Sequence, residues 1–260
     1  MKKTLQIANG IALVFTIVMS YVSNTGVFDG NTMKTVSDSY WNLFTPAGYA
    51  FSIWGVIYLG LLGFVLYTGR SLFTKKEEND TIILEVGWWF VISCIGNSLW
   101  VVAWLYNYTL VAAIIMFIVL ISLIKIIINT RMELDFQPLH RYLLIYWPFA
   151  FYSGWISVAF IANISALLTK NNWDGFGISE VTWTIIMIAI VGLLNIAIVL
   201  TRNLREFALV GIWALIAIAV SNSDKGSADV VMAAYIVAGI IFISIGYSGF
   251  KNRENTISKM

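Results

Sequence analysis

The chain alternates between long apolar segments and short polar connections, and this pattern indicates the fold class. Eight apolar segments stand out, at residues 5–22, 47–68, 86–105, 108–128, 142–168, 181–200, 204–221 and 229–247. Each is close to the roughly 20 residues that a helix needs to cross the ~30 Å hydrocarbon core of a bilayer. The apolar runs are continuous rather than alternating, which favours helices over a β-barrel. The sequence therefore predicts an all-α, polytopic membrane bundle of about eight transmembrane helices.

The third and fourth apolar segments are joined by only Tyr106 and Asn107. As a single helix, residues 86–128 would be about 64 Å long, twice the thickness of the bilayer core. We therefore expect a tight hairpin at this connection. The first segment follows Lys2 and Lys3, as in a signal peptide, but no strong small-residue cleavage pattern ends it. We interpret it as a retained first span.

The basic residues are distributed very unequally between the two sets of connections. If the N-terminus is cytoplasmic, only Lys34, Lys170 and Lys225 of the 16 basic residues lie on the outer side. The other thirteen lie on the inner side, namely Lys2, Lys3, Arg70, Lys75, Lys76, Lys125, Arg131, Arg141, Arg202, Arg205, Lys251, Arg253 and Lys259. This asymmetry matches the positive-inside rule. We therefore expect an integral protein of a bacterial cell membrane, with both termini in the cytoplasm.

The composition of the chain disfavours several classes of functional site. The chain is 59% hydrophobic and 12% charged, whereas soluble domains are about a quarter charged. The net charge of +2 indicates no nucleic-acid partner, so the expected surroundings are the lipid bilayer. His140 and Cys94 are the only residues of their kinds, which leaves no usual metal-ligand set and no intrachain disulfide. Acidic residues lie in connections or at segment ends, which weakens a proton-coupled transporter or an enzyme with acidic metal ligands.

Aromatic residues are abundant, with 11 Trp, 12 Tyr and 16 Phe. Trp54 and Tyr58 are four residues apart and so share one face of a helix, and Trp100 and Trp104 repeat this spacing. Other tryptophans lie next to the connections, where an interfacial aromatic belt is expected: Trp41, Trp173 and Trp183. The deeper rings are compatible both with ordinary packing and with the wall of a ligand site.

Two amides accompany the deep aromatic residues. Asn97 lies three residues before Trp100, and Asn163 lies eight residues after Trp155. A buried Asn in lipid must bond either a neighbouring helix or a ligand, and the sequence leaves both alternatives open. Together with the tryptophans, these amides predict an aromatic cavity for a flat apolar ligand with a few polar edges.

Three segments together resemble the translocator-protein family (TspO/MBR, the tryptophan-rich sensory proteins). Residues 46–60, PAGYAFSIWGVIYLG, are similar to the family pattern Pro-Pro-x-Trp-Val-Phe-x-x-Val-Trp-x-x-Leu-Tyr. Residues 97–100, NSLW, are similar to its Asn-x-x-Trp. Residues 151–163, FYSGWISVAFIAN, are similar to its Pro-Tyr-x-x-Trp followed by an Asn eight positions later. The order of these motifs and the short hairpin also fit the family.

The chain departs from the family pattern in places. Ala47 and Phe151 replace prolines, Tyr49 replaces a tryptophan, and no Tyr lies between Asn163 and Lys170, so cholesterol binding is not carried over. The resemblance is to a divergent member. It implies a five-helix bundle over residues 1–169 and a C-terminal extension of about three transmembrane helices over residues 170–260.

The resemblance implies a pocket that binds tetrapyrroles, such as protoporphyrin IX or haem, or another hydrophobic small molecule, with no required cofactor. The residues that match or line it are Trp54, Tyr58, Asn97, Trp100, Trp155 and Asn163. Some members are reported to degrade porphyrin in light, and Trp54 and Trp155 match the positions concerned. Such breakdown would be photochemistry of the porphyrin, so we do not expect a conventional enzyme.

The leading functional hypothesis is thus a ligand-binding sensor or carrier of the translocator-protein type. The alternative is a membrane transporter of a small metabolite without ion coupling, in which the last three spans complete a path. A third hypothesis is a structural or assembly factor, whose aromatic residues would only pack. The sequence leaves open whether the protein forms a homodimer.

Overall fold

The computed structural model describes residues 1–73 and 81–257, and these ranges are helical and contain no β-strand. The eight long helices are α1 Lys2–Val22, α2 Ile53–Gly69, α3 Trp89–Leu105, α4 Thr109–Asn129, α5 Trp147–Lys170, α6 Glu180–Arg202, α7 Arg205–Lys225 and α8 Ala228–Ile257. By length and hydropathy, 7 helical stretches among the described residues can cross a membrane, and α3 is an apolar helix of 17 residues. The predicted all-α, polytopic membrane bundle is confirmed.

The connections alternate between two ends of the bundle. The loop face is the end that carries residues 23–52 and 171–179, where the side chain of Asn31 donates to the carbonyl of Leu105 over 2.9 Å. The terminal face is the end that carries both termini, where Gln6 Nε2 donates to Ser71 Oγ over 2.8 Å. Three of the basic residues assigned to this face by the sequence lie outside the described residues, namely Lys75, Lys76 and Lys259.

The predicted hairpin between α3 and α4 is confirmed. Asn107 takes a left-handed conformation with φ 62°, and the N–H of Tyr108 donates to the carbonyl of Ala103 over 2.8 Å. The third apolar segment begins later than predicted. Gly87, at φ 56°, separates a short helix at Ile82–Val86 from α3, because glycine tolerates the positive φ that turns the chain there.

Helix α5 is the centre of the bundle. It packs against α2 and α4 on one side and against α7 on the other, and α6 and α8 pack on α7. A Cβ atom at Gly154 would lie 2.6 Å from the carbonyl oxygen of Phe207, so the backbones of α5 and α7 approach too closely for a larger residue. The last three helices therefore share an interface with the first five. The division at residue 169 stays a prediction.

The outward faces of the helices are apolar. Ile11, Phe15, Leu193 and Phe242 are exposed, as are many other large apolar side chains. Contiguous apolar surface of this kind is unfavourable in water and normal in lipid. By contrast, Leu5 of α1 is buried, so the first segment packs into the bundle as one of its helices.

Candidate functional site

Residues 23–52, here called the cover segment, fold over the loop face. A short helix at Met33–Ser39 begins after Thr32, whose hydroxyl accepts a hydrogen bond from the N–H of Thr35. This helix is tied to α3, because the indole N–H of Trp104 donates to the carbonyl of Met33 over 3.4 Å. A 3₁₀ turn at Gly48–Ser52 then leads into α2.

The second half of the cover segment is bonded to the C-terminal helices. Five hydrogen bonds make this attachment: Ala47 N to Ala217 O (2.9 Å), Trp213 Nε1 to Ala50 O (3.3 Å), Asn222 Nδ2 to Leu43 O (2.8 Å), Leu43 N to Glu180 Oε1 (3.1 Å) and Trp41 Nε1 to Ser221 Oγ (3.3 Å). Helices α6 and α7 therefore hold the cover segment above the site.

An aromatic cluster lies directly beneath the cover segment, and it consists of Trp54, Tyr58, Trp100, Tyr152 and Trp155. Trp54 is at its centre. Its ring stacks on Tyr58 with centroids 5.3 Å apart and planes at 21°, which confirms the shared helical face expected from the spacing. Its centroid is 5.7 Å from that of Tyr152, 6.5 Å from that of Trp100 and 6.5 Å from that of Trp155. The tryptophans of α2, α3 and α5 are thus brought together.

Both amides bond neighbouring helices. Asn97 Nδ2 donates to the hydroxyl of Tyr58 over 3.1 Å, which joins α3 to α2. The indole N–H of Trp100 donates to Asn163 Oδ1 over 3.0 Å, which joins α3 to α5. Of the two alternatives that the sequence left open, this geometry favours the bond between helices. All six residues selected from the sequence therefore lie in one connected group.

The larger of two cavities at this group lies between α1, α2 and α3. Its volume is about 270 Å³, and its wall includes Ser20, Trp54, Tyr58 and Asn97. It lies next to the loop face, since Ser20 is near the end of α1 that meets the cover segment.

The smaller cavity has a volume of about 50 Å³ and lies between the cover segment, α3, α5 and α7. Trp155 and Asn163 line it, together with Ala214 and Ile218 of α7. Sequence reasoning missed the α7 residues. The signals that could have pointed to α7 are the aromatic and amide side chains of Trp213 and Asn222, which bond the cover segment.

Trp100 and Phe51 line both cavities and so form the wall between them. Among the described residues that line either cavity, none carries a formal charge. The site can therefore hold a molecule by ring stacking and by hydrogen bonds, and its described lining residues include no carboxylate or imidazole. The flat apolar ligand with few polar edges stays a prediction.

Comparison with known proteins identifies the family. A family model described as "TSPO-like protein" matches residues 6–247, a range that runs from α1 into α8. Comparison with curated proteins and with solved structures finds no match. The match extends over far more than half of the chain and confirms the resemblance found in its motifs. This chain therefore belongs to the TSPO-like protein family and is an integral membrane protein.

Proposed function

We propose that this TSPO-like protein binds a flat hydrophobic molecule, a tetrapyrrole such as protoporphyrin IX or haem, beside the aromatic cluster, and acts as a sensor or carrier of it. The observation that carries the proposal is the convergence of Trp54, Trp100 and Trp155, from three helices, on two uncharged cavities. Indole rings offer wide, rigid faces that stack on a planar macrocycle away from water.

The two cavities are too small for a tetrapyrrole as they stand, so binding must involve a movement of the protein. Small-molecule pockets are usually about 300–1,000 Å³. The larger cavity, of about 270 Å³, approaches this range, and the smaller, of about 50 Å³, does not. A tetrapyrrole is larger than either, so its binding requires the wall of Trp100 and Phe51 to move and the two cavities to merge.

The cover segment is the part of the protein that must move for the two cavities to merge. It carries Phe51 of the wall, and it also carries Tyr40 and Phe44 of the smaller cavity. Its bonds to α7 set the ease of that movement. In this proposal, the C-terminal helices control access of the ligand to the aromatic cluster.

Binding is favoured over transport by the structure below the cluster. Towards the terminal face, Phe64, Phe90 and Phe149 are fully buried, with ring centroids 4.9–5.7 Å apart. These packed rings fill the space between α2, α3 and α5 on the terminal side of the cluster. The transporter hypothesis requires them to separate, and it predicts flux of the bound molecule through proteoliposomes. Saturable binding without flux supports the sensor or carrier of an intramembrane ligand.

The proposal is tested by titration of the purified protein, in lipid nanodiscs, with protoporphyrin IX. We expect saturable binding, with quenching of tryptophan fluorescence. The double variant Trp54→Phe/Trp155→Phe should weaken binding about tenfold or more, since aromatic contacts contribute roughly 0.5–1.5 kcal/mol each. Trp88→Phe, which changes an exposed indole remote from the cluster, is the matched control. Unsaturable quenching, or equal affinity in the double variant and the control, would overturn the proposal.

We also propose that the terminal face is cytoplasmic in a bacterial cell membrane. The support is the excess of basic residues at that face, where Lys2, Arg131, Arg202 and Lys251 are examples within the described part of the chain. Single cysteines placed at Lys251 and at Asp29, in a Cys94→Ser background, should react with an impermeant maleimide from opposite sides of the membrane. Labelling of position 251 from outside intact cells would reverse the orientation.

A further inference from the structure

A separate cavity of about 600 Å³ lies at the loop face between α5 and α6. None of the six residues selected from the sequence lines it, and its volume is within the usual range for small-molecule sites. Its walls include Trp41, Trp173 and Trp183, which lie next to the connections, where interfacial anchors are expected. Because they converge on one cavity, these tryptophans are also candidates for contact with a ligand.

Two of the three indoles at this cavity have their N–H groups bonded to the protein. Trp183 Nε1 donates to the carbonyl of Gly175 over 2.7 Å, and Trp41 Nε1 donates to Ser221 Oγ over 3.3 Å. The rings of Trp173 and Trp183 form a corner, with centroids 5.2 Å apart and planes at 53°. Because the faces of indole rings carry negative electrostatic potential, such a corner attracts cations.

Two carboxylates lie on the same wall. Asp174 Oδ1 accepts from the N–H of Phe176 over 3.0 Å, and Glu180 Oε1 accepts from the N–H of Leu43 over 3.1 Å. The second oxygen of each makes no bond or ion pair with another described residue. No Lys, Arg or His lines the cavity among the described residues, so its polar end is acidic and aromatic.

An apolar part of the cavity wall extends along α5. Phe160, Ile164 and Leu168 line it, and their span of eight residues corresponds to about 12 Å of helix. Met187 of α6 faces them, and its sulfur lies 3.2 Å from Ser165 Oγ. The cavity therefore combines a cation-attracting end in the polar region with an apolar wall inside the bilayer.

We propose that this cavity binds an amphiphilic organic cation, with its ammonium or phosphonium centre between Trp173, Trp183, Asp174 and Glu180 and its apolar body along α5. The charge selects a cation over an anion, and the aromatic faces favour a bulky, weakly hydrated cation over a small metal ion. Free organic cations and the headgroups of choline or ethanolamine lipids offer this same chemistry.

The test uses two probes with the same four phenyl groups and opposite charge, tetraphenylphosphonium and tetraphenylborate. The full-length protein is placed in nanodiscs of phosphatidylglycerol, which has no ammonium group, and binding is corrected for empty discs. We expect saturable binding of the phosphonium, at least about tenfold tighter than that of the borate. The double variant Asp174→Asn/Glu180→Gln keeps the hydrogen-bond acceptors and should lose this preference. Asp29→Asn, on the same face and away from the cavity, is the matched control.

A second arm identifies the source of the cation. The measurement is repeated in phosphatidylcholine discs. If the wild type binds the phosphonium more weakly there and the double variant does not change, the lipid headgroup competes for the site. If wild-type binding is unchanged, the site takes a free cation, and either result supports the site. Equal affinity for the two probes overturns it, as does a double variant that remains folded and binds the phosphonium like the control. Thermal unfolding of each variant establishes that it is folded.

Discussion

The indole N–H of Trp100 donates a hydrogen bond to the side-chain oxygen of Asn163, 3.0 Å away, and this bond joins α3 to α5 in the apolar interior. Trp100 is 4% exposed and Asn163 is 4% exposed, so bulk water does not compete for either group. Loss of one partner leaves the other buried and unpaired, which costs about 1–3 kcal/mol. The bond also fixes the orientation of the ring that separates the two cavities.

A double-mutant cycle with Trp100→Phe and Asn163→Ala should therefore show coupling in the free energy of unfolding. We expect a coupling energy of about 0.6 kcal/mol, the average measured for hydrogen bonds between membrane helices, and at most about 1.7 kcal/mol. Unfolding in mixed micelles with increasing SDS measures it. The control cycle pairs Asn163→Ala with Trp88→Phe and should be additive. Additivity in both cycles would contradict the role given to this bond.

The close approach of α5 and α7 makes a second prediction. Gly154→Ala places a methyl group 2.6 Å from the carbonyl oxygen of Phe207, so the two backbones must separate. We expect destabilisation of about 1–3 kcal/mol in the same unfolding assay. Gly239→Ala is the matched control, because nothing lies within 4 Å of its added methyl group. Equal stability of the two variants would show that the interface tolerates separation.

The attachment of the cover segment to α7 gives a third prediction. Asn222→Leu removes the donor to the carbonyl of Leu43, while the exposed Ser223→Ala removes a hydroxyl that bonds only within α7. Hydrogen exchange at the amide of Ala47, which bonds Ala217, should become about tenfold faster in Asn222→Leu and stay unchanged in Ser223→Ala. Unchanged exchange in both would mean that Asn222 does not hold the cover segment.

The terminal face provides a pH-dependent prediction. Burial raises the pKa of Glu133 to about 7, with a further rise from the Glu206 carboxylate and an opposing effect of Arg205. The unfolded chain has a pKa near 4.3, so the folded protein binds more protons between these values. Stability from this group is therefore present at low pH and lost as the pH rises through about 7.

Replacement of Glu133 by Gln removes the titration and should flatten the decline in thermal stability between about pH 4 and about pH 7. Asp229→Asn also removes one carboxylate, at the other end of the bundle, and should leave the decline as in the wild type. A Glu133→Gln variant with the wild-type profile would assign the pH dependence to other groups.

Periodicity and hydropathy were sufficient to predict the helices and the shared faces of the aromatic pairs. Trp100 stacks on Trp104 with planes at 21°, as expected from residues four apart on one helix. The hairpin also followed from length alone, since no bilayer accommodates α3 and α4 as one helix. These features depend on local geometry and on the thickness of the membrane, which a single segment carries in its own sequence.

Features that depend on packing between helices could not be predicted in the same way. The bond from Trp100 to Asn163 joins residues 63 positions apart, and neither residue alone indicates its partner. Ala214 and Ile218 line the smaller cavity because Gly154 lets α7 approach α5. Small apolar side chains carry no chemical signal of such a role, so the contribution of the C-terminal helices to the site appeared only in the structure.

The most direct test of the central claim, that the cavities beside Trp100 hold the ligand, is to fill them. Ser20→Leu occupies the larger cavity and Ala162→Leu the smaller, while Ala197→Leu adds the same bulk to an exposed position on α6. The measurement is the equilibrium dissociation constant of protoporphyrin IX in nanodiscs. The account predicts binding at least about tenfold weaker in Ser20→Leu/Ala162→Leu and unchanged in Ala197→Leu. Wild-type affinity in the filled variant, with its folding intact, would contradict it.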